Sequence, residues 1–573
     1  MKISEAAFVQ KRALLNQLDM EFAQWRPHFE EIATFLLPRR YSWLTNSTAT
    51  VPLNGNGIAV SGEKAAGAKN NQSSRILDPT GTIAARTLAN GLMNGITSPA
   101  RPWFRLRLSE FGNDIEGYPK PFKVWLEEVA RRMLVIMGES NFYTAMGMLY
   151  LELAGFGTSA IIIYEDFEQV IRCYNSPMGE YRLMQDNRRM VSGYARTMNM
   201  SVKQTVQEFG IDNVSEQTRI AYKAGGAQLL QSVAIAHLIE ENNQDDPTAI
   251  HPSFKFREFY WERSHQTKGE MLRIKGYHEK PIIAPRWELM GNDTYGTSPS
   301  MDALPEIKQL QLETKQKGQA LDKMIRPPIV ADVALRNQPT ALLPGGISYV
   351  PSASSVGAKA IYTVNPPLQD MTMDMMKLQE RIKIIYYNHL FRNVSELDTV
   401  RSAAEIYERK AEDMIQLGPI YERFENEALD PAVNRVFNIM LRKELLPPLP
   451  EGLDTGTINI QYVSVLADAQ RSVTTGSIER FMQVVGQLAA AVPEVLKIPD
   501  YDALVREYAS RLNVPSMVIK SRQEVQQELE EEKKQIAAQQ AALVGGELTN
   551  AAKNLSQTDV GGGQNAMQAL LGG

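Results

Sequence analysis

Residues 401–450 read RSAAEIYERKAEDMIQLGPIYERFENEALDPAVNRVFNIMLRKELLPPLP. In the second half, Leu429, Val433, Val436, Phe437, Met440 and Leu441 recur at the spacing of an amphipathic helix. The first half is charged, with Glu408, Arg409, Lys410, Glu412 and Asp413 set around Ile406, Met414 and Ile415, so a helix there buries only a thin seam. Gly418-Pro419 and Asp430-Pro431 interrupt the pattern, and a proline inside a helix costs about 3 kcal/mol unless the helix kinks or restarts. The stretch therefore predicts a long, jointed helix with its bends at those two dipeptides.

Around it lies a chain of 573 residues, too long for one core and enough for roughly three or four units of about 150 residues. The 43% hydrophobic and 22% charged content is that of a soluble globular protein, and no run approaches the ~20 continuous apolar residues of a membrane span. The start, MKISEAAFVQKRALLNQ, has no apolar signal core, so nothing predicts secretion. Cys173 stands alone, which excludes an intrachain disulfide and fits a reducing compartment; it is expected as a small buried residue beside a strand. The net charge of -5 argues against a protein that grips DNA by neutralising phosphates. It leaves open a conduit, where weak, unspecific contact lets a duplex move.

Residues 5–37 place Phe8, Leu14, Leu15, Leu18, Phe22, Trp25, Ile32, Phe35 and Leu36 at helical spacing, read as one or two helices broken at Pro27. Residues 44–74 are rich in Gly, Asn and Ser and predict a flexible loop. Asp78-Pro79-Thr80 caps a helix through Ile83, Leu88, Leu92 and Met93. From Gly157 to about Met290 the period changes: 159–164, 234–239, 254–261 and 272–277 are β-rich runs of an antiparallel sheet, with a helical insert at 201–208 whose Ser201 and Gln204 suit a capping box. A helix follows with Ala303, Ile307, Leu310, Thr314, Leu321 and Met324 on one side. Next comes a proline-bounded block at 326–367 with IVADVAL and ISYV as short strands. Met371, Met375, Leu378, Ile382, Ile385 and His389 then make a seam suited to packing along another helix, whose roughly 24 residues would span about 36 Å. Beyond the opening stretch, 458–465 reads as a strand, 478–491, 501–512 and 514–519 as short helices or turns, and 523–543 as a charged helix capped by Ser521. The composition predicts disorder after Gly545.

The order LGPIYERFENEALDPAVNRVFNIM and a proline cluster resembles the head-to-tail connector, or portal, proteins of short-tailed bacteriophages. So do LLPRR, then D-x-T-G at Asp78, then AxxLAxGLxxGITSPxRPWFxL from Ala85, and later LADAQRS. The resemblance covers roughly residues 5–520, and its specificity lies in order and spacing, since no single motif is a catalytic signature. It implies an α+β portal fold: N-terminal helices and a β-rich α/β wing in 1–302, stem helices at 303–325 and 368–391 around a small α/β clip at 326–367, and a channel loop at 392–402. A kinked wing helix and return strand would occupy 403–466, a helical crown 467–520, and a charged helix with a disordered tail 521–573.

The same resemblance implies a ring of identical subunits, commonly twelve in that family, at one capsid vertex of the virion, assembled in the host cytoplasm around a channel for double-stranded DNA. A closed ring requires a heterologous interface. Its implied partners are the major capsid and scaffolding proteins, the terminase large subunit, tail adaptor proteins, and DNA without sequence specificity. No membrane, cofactor or catalysis is implied. Arg392, Asn393, Glu396, Asp398 and Arg401 become the DNA-facing positions of the loop, and Ile307, Leu310, Met371, Met375, Leu378, Ile382 and Ile385 the stem packing.

Catalytic and metal chemistry finds little support in the residues themselves. Gly57 and Gly62 have the gap of a phosphate-binding loop, but Glu63 stands where that motif needs lysine, and no strand precedes it. Ser61 and Lys64 match a nucleophile–base spacing without its partner motifs. The histidines, His28, His237, His251, His265, His278 and His389, form no zinc-ligand pair. Glu165-Asp166 and Asp245-Asp246 are adjacent acids, which on a strand point to opposite faces. Met371, Met373, Met375 and Met376 read as a packed seam, and Trp103, Phe104 and Trp261 as core or subunit-contact aromatics. Two rival functions remain open at this level: a capsid-associated structural protein without a channel, and a metal-dependent nuclease built from the acids of the β-rich middle.

Overall fold

A computed structural model describes residues 3–40, 44, 76–106, 109–110, 113–114, 120–263, 270–325, 329–330, 359–360, 367–391, 418–450, 481–488, 498–511, 518–520 and 522–557. They mix helix and sheet, an α+β chain, in two units: one drawn from Met1–Asp114, Glu127–Pro448 and Thr455–Gln470, the other from Ile115–Leu126, Leu449–Asp454 and Arg471–Gly573.

The first unit is led by α1 (Glu5–Phe35), whose N-cap Ser4 accepts from the Ala7 amide. The helix runs unbroken through Pro27, which corrects the expected break. The proline's cost of about 3 kcal/mol is met on both sides, because Phe22, Phe29 and Ile32 are buried and each such side chain contributes about 1.5–3 kcal/mol. Phe22 and Phe29 both pack edge-on against Tyr295, at 5.5 and 6.0 Å between ring centres, so the two halves of the helix share one anchor.

Two further helices, α2 (Thr80–Ile96) and α3 (Lys120–Glu139), precede α4 (Phe142–Phe156). Thr80 starts α2 where its amide donates to the Asp78 carboxylate at 2.8 Å. Two-residue strands β1 (Ser109–Glu110) and β2 (Asn113–Asp114) pair with each other. No periodic stripe announces α4, because it is buried on nearly every side. It ends at Gly157, whose φ of 72° belongs to the left-handed region, and a Cβ there would meet the Gly296 carbonyl oxygen at 2.3 Å.

Antiparallel β3 (Ala160–Asp166) and β4 (Val170–Ser176) form a small sheet that β10 (Ile282–Ile283) completes. The larger sheet is an antiparallel meander of β5 (Tyr181–Gln185), β6 (Val191–Ser201), β7 (Ser232–Glu241), β8 (Phe256–Glu262) and β9 (Arg273–Tyr277). Phe8, Leu15 and Leu18 of α1 cover one face, meeting Ala236, Leu238, Phe259 and Trp261. The Ser201–Gln204 capping box forms and starts α5 (Val202–Phe209), which with α6 (Glu216–Ala224) covers Val233, Ile235 and Tyr260 on the opposite face. Alternate residues of β7 thus serve two cores.

Strands β4, β5 and β6 are additional to the four β-rich runs of the sequence reading. Their inward positions include Arg182 and Arg196, both buried, so the alternation of apolar and polar residues is hidden. Arg182 pairs with Asp19 at 3.0 Å, and Arg196 with Glu180 at 3.2 Å. Arg196 also donates to His237 Nδ1 at 3.0 Å, so the ring's Nε2 carries the proton to Glu258, 2.7 Å away. Glu258 further accepts from Tyr260 and Tyr277, at 3.0 and 2.9 Å. Burial lowers the His237 pKa to about 4, opposed by Glu258. Cys173 is buried, and burial pushes its thiol up to about 12.

In the other unit, Tyr501–Arg511 and the 36-residue Arg522–Gln557 are helical. The latter continues past Gly545, where the composition predicts order to end, while 558–573 lie outside the described residues. No helix among the described residues is long and apolar enough to cross a membrane.

His237 stays neutral in the fold but protonates in the unfolded chain as pH falls below about 6.5. The unfolded state then binds more protons, so stability drops between pH 6.5 and 4, by about 3 kcal/mol at most. The effect is read against His237→Gln, which keeps both hydrogen-bond roles: in thermal unfolding the wild type should lose stability relative to that variant as pH falls from about 6.5 to 4.

Candidate functional site

The described residues on either side of the expected channel loop belong to two helix systems. The first pairs α7 (Pro299–Ile325) with α8 (Leu368–Ile385). Ile307, Leu310, Leu378 and Ile382 are buried, while Met371, Met375 and Ile385 are half-buried. The seam is shared with α2, because a Cβ on Gly81 would meet the Ile307 side chain at 2.9 Å. Polar side chains from both helices hold the start of α2: Gln311 accepts from the Leu77 and Asp78 amides at 2.8 and 3.1 Å, and Gln379 donates to the Asp78 carboxylate at 2.8 Å. Arg381 pairs with Glu306 at 2.6 Å across the exposed side. Away from α2 the pair is thinly covered, with Leu312, Ile325, Met373 and Met376 each more than half exposed. The methionine run is therefore split: Met371 and Met375 face inward and the other two outward.

The second helix of the pair is shorter than its sequence seam. It ends at Ile385, because Tyr386 turns its hydroxyl to Ser300 at 2.7 Å and Tyr387 adopts a φ of 55°. His389 is exposed in the 3-10 turn Asn388–Phe391, which corrects its place in the seam. Between 325 and 367, the described residues are one antiparallel pair, β11 (Ile329–Val330) with β12 (Lys359–Ala360). Arg392, Asn393, Glu396, Asp398 and Arg401 lie outside the described residues, as do 402–417 and the expected strand at 458–465.

The second system is the jointed helix. It runs as α9 (Gly418–Phe424), a π turn at Glu425–Leu429, and α10 (Asp430–Arg442). The joint expected at Asp430-Pro431 takes the form of this π turn, which ends immediately before Asp430; Pro431 brings no amide to the carbonyls one turn back, and its ring crowds that of Glu427, inside the turn. The apolar residues show why. From Phe424 the buried run passes through Ala428 to Leu429, and the large anchors then follow at Val433, Val436 and Met440. A regular α-helix would rotate one set away from the core; the π turn absorbs the extra residue.

Inside that turn, Glu427 is buried and receives three hydrogen bonds from Arg286, from its amide at 2.9 Å and its Nε and Nη2 at 3.2 and 2.5 Å. Arg286 Nη2 also donates to the Arg189 carbonyl at 2.6 Å. An acid on the apolar face between Phe424 and Leu429 was the available signal for this site; its partner, far away in the chain, had none. Further along, Arg435 is buried over the Tyr277 ring and pairs with Glu279, while Arg442 pairs with Glu279 at 2.8 Å and with Glu165 at 2.6 Å.

Three of the four acids singled out in the β-rich middle are engaged structurally, and Asp245 is exposed. Glu165 is held by Arg442, Asp166 accepts from the Glu168 and Gln169 amides, and Asp246 from Lys11 and Arg257. Among the described residues, no cluster of His, Cys, Asp and Glu has the geometry to hold a metal ion. Two carboxyls of the jointed helix are raised: burial, with the nearby Asp430 and Glu422 charges, lifts Glu425 to about 7, and burial lifts Asp430 to about 6.

Comparison with known proteins bears on what this frame serves. A family profile described as bacteriophage head to tail connecting protein matches residues 10–519. The chain is 36% identical over 548 residues to the portal protein of Salmonella phage epsilon15, covering 95% of this chain and 94% of that one. It is 35% identical over 542 residues to the probable portal protein of Bordetella phage BPP-1, covering 94% and 93%.

Glu427→Ala should strip the buried Arg286 guanidinium of its counter-charge and destabilise the first unit by about 3–5 kcal/mol, read by denaturant unfolding. Glu425 is predicted to act in the opposite sense with pH. Its native pKa lies above the unfolded value, so the fold binds the extra proton and loses stability as pH rises from about 4.5 to 7. In thermal unfolding, Glu425→Gln should gain stability relative to the wild type as pH rises from about 4.5 to 7.

Proposed function

The chain belongs to the family of bacteriophage head to tail connecting proteins, and from that premise we propose how its parts divide the work. Its function is that of a portal at the capsid vertex in DNA packaging, and the observation that carries this is the match to portal proteins along nearly the whole chain. The role is a structural one.

In our reading the chain forms a closed ring of about twelve subunits, each offering two different faces to its neighbours. The wing lies in 1–302, where a sheet covered by helices on both faces makes a stiff body. The pair α7 and α8, in 303–325 and 368–391, is the stem, and its thinly covered outer residues suit burial by the neighbouring subunit. The clip lies in 326–367, the channel loop in 392–402, the wing spine in 403–466, the crown in 467–520, and the charged helix and tail in 521–573. The ring would sit among major capsid and scaffolding proteins, receive the terminase large subunit during packaging and tail adaptor proteins afterwards, and be assembled in the host cytoplasm. The chain itself would catalyse nothing.

Arg392, Asn393, Glu396, Asp398 and Arg401 remain our proposed DNA-facing positions. A net charge of -5 supports weak contact with the duplex, without base readout. Negative-stain microscopy of the purified chain should show rings with a central hole; monomers that cleave DNA with metal would overturn the portal reading in favour of a nuclease. In particles, Arg401→Ala is expected to alter DNA retention or assembly with no change in sequence preference. Particles that package and hold genomes normally would remove that residue from the channel.

A further inference from the structure

The two ends of the segment that carries the proposed channel loop are seated in one place. Phe391 is the last described residue before it, and α9 begins just after it. Phe391, Ile420, Tyr421 and Phe424 line a single apolar pocket, with Gly91 of α2 and Tyr150 of α4. Phe424 stacks on Tyr150 with ring centres 5.1 Å apart, and the Tyr150 hydroxyl is tied to Thr97 at 3.1 Å.

Gly91 lies inside α2, where glycine costs up to about 1 kcal/mol relative to alanine. The packing supplies a reason for it. A Cβ at this position would stand 2.3 Å from Phe391 Cγ and 2.4 Å from its Cδ1, so the ring rests directly on bare helix backbone. On the other side, the π turn allows Phe424 to enter the pocket while Glu427 stays on Arg286.

We propose that this pocket is the common anchorage of both ends of the segment 392–417, with Gly91 as a positioning residue that seats Phe391 and Tyr150 as the seat of Phe424. Phe391, before the segment, and Ile420, Tyr421 and Phe424, after it, meet at one point on α2 and α4. Load on the segment is therefore carried into those helices as well as along α8. The functional part of this inference rests on the reading that the segment faces DNA; the anchorage itself does not.

The test uses the full-length protein. Gly91→Ala keeps α2, since alanine is the better helix former, but displaces the Phe391 ring. Tryptic cleavage after Arg392 and Arg401 in assembled rings, followed by mass spectrometry, should accelerate roughly tenfold, because the segment loses one of its ties. Phe391→Ala should give the same acceleration, and the double variant should be no faster than Phe391→Ala alone, since Gly91 acts only through that ring. Unchanged cleavage in the single variants, or additive effects in the double, would overturn the anchorage. If Gly91→Ala prevents folding, Phe391→Ala alone decides by the same cleavage rate. Faster cleavage with normal genome retention would uphold the anchorage and overturn the DNA-facing assignment.

Discussion

The buried pair of Arg286 and Glu427 is the constraint on which the central frame depends. Both side chains are withdrawn from water, so each charge is tolerable only while the other is in place. Glu427 takes the Arg286 backbone amide as well as its guanidinium, which fixes the position of the charge together with the course of the chain beside β10. The helix that carries Glu427 must also put Phe424 against Tyr150 and Leu429 with Val433 into the core. A regular α-helix cannot meet all three demands, and the π turn is the local deformation that does.

The same economy governs the larger sheet. Its central strands β7 and β8 are buried on both faces, yet the sheet carries arginines, glutamates, a histidine and several tyrosines inward. These groups are tolerated because they satisfy one another: Glu180, Arg196, His237 and Glu258 form a chain of hydrogen bonds, with Tyr174 on Glu180 and Tyr260 and Tyr277 on Glu258. Such a network gives less net stability than an apolar core of equal volume, but it penalises any shift of register that leaves one member unpaired.

Several features were legible in the residues alone. The stripe from Leu429 to Met440 belongs to a helix, Ser201 and Gln204 form their capping box, and Thr80 begins a helix on Asp78. The family was legible too, because it is carried by the order of short motifs, a property of sequence that needs no coordinates. Of the candidate site, the buried positions Ile307, Leu310, Leu378 and Ile382 of α7 and α8 follow from helical spacing. Less visible were the strands whose inward residues are charged, and α4, which is apolar all round and so has no period to read.

What the sequence by itself determined was local: which stretches favour helix or strand, where caps begin them, and which family the order of motifs belongs to. Tertiary structure decided whether a local break was obeyed. Pro27 does not divide α1, because aromatic residues on both sides pack around Tyr295, whereas Pro431 is preceded by a π turn at Glu425–Leu429, in which Glu427 meets Arg286. Propensities act over a few residues and are worth a few kcal/mol at most, whereas burying an aromatic ring or pairing a buried charge depends on partners distant in the chain. Where the two disagree, the distant partner prevails, and its identity becomes visible only once the chain is folded.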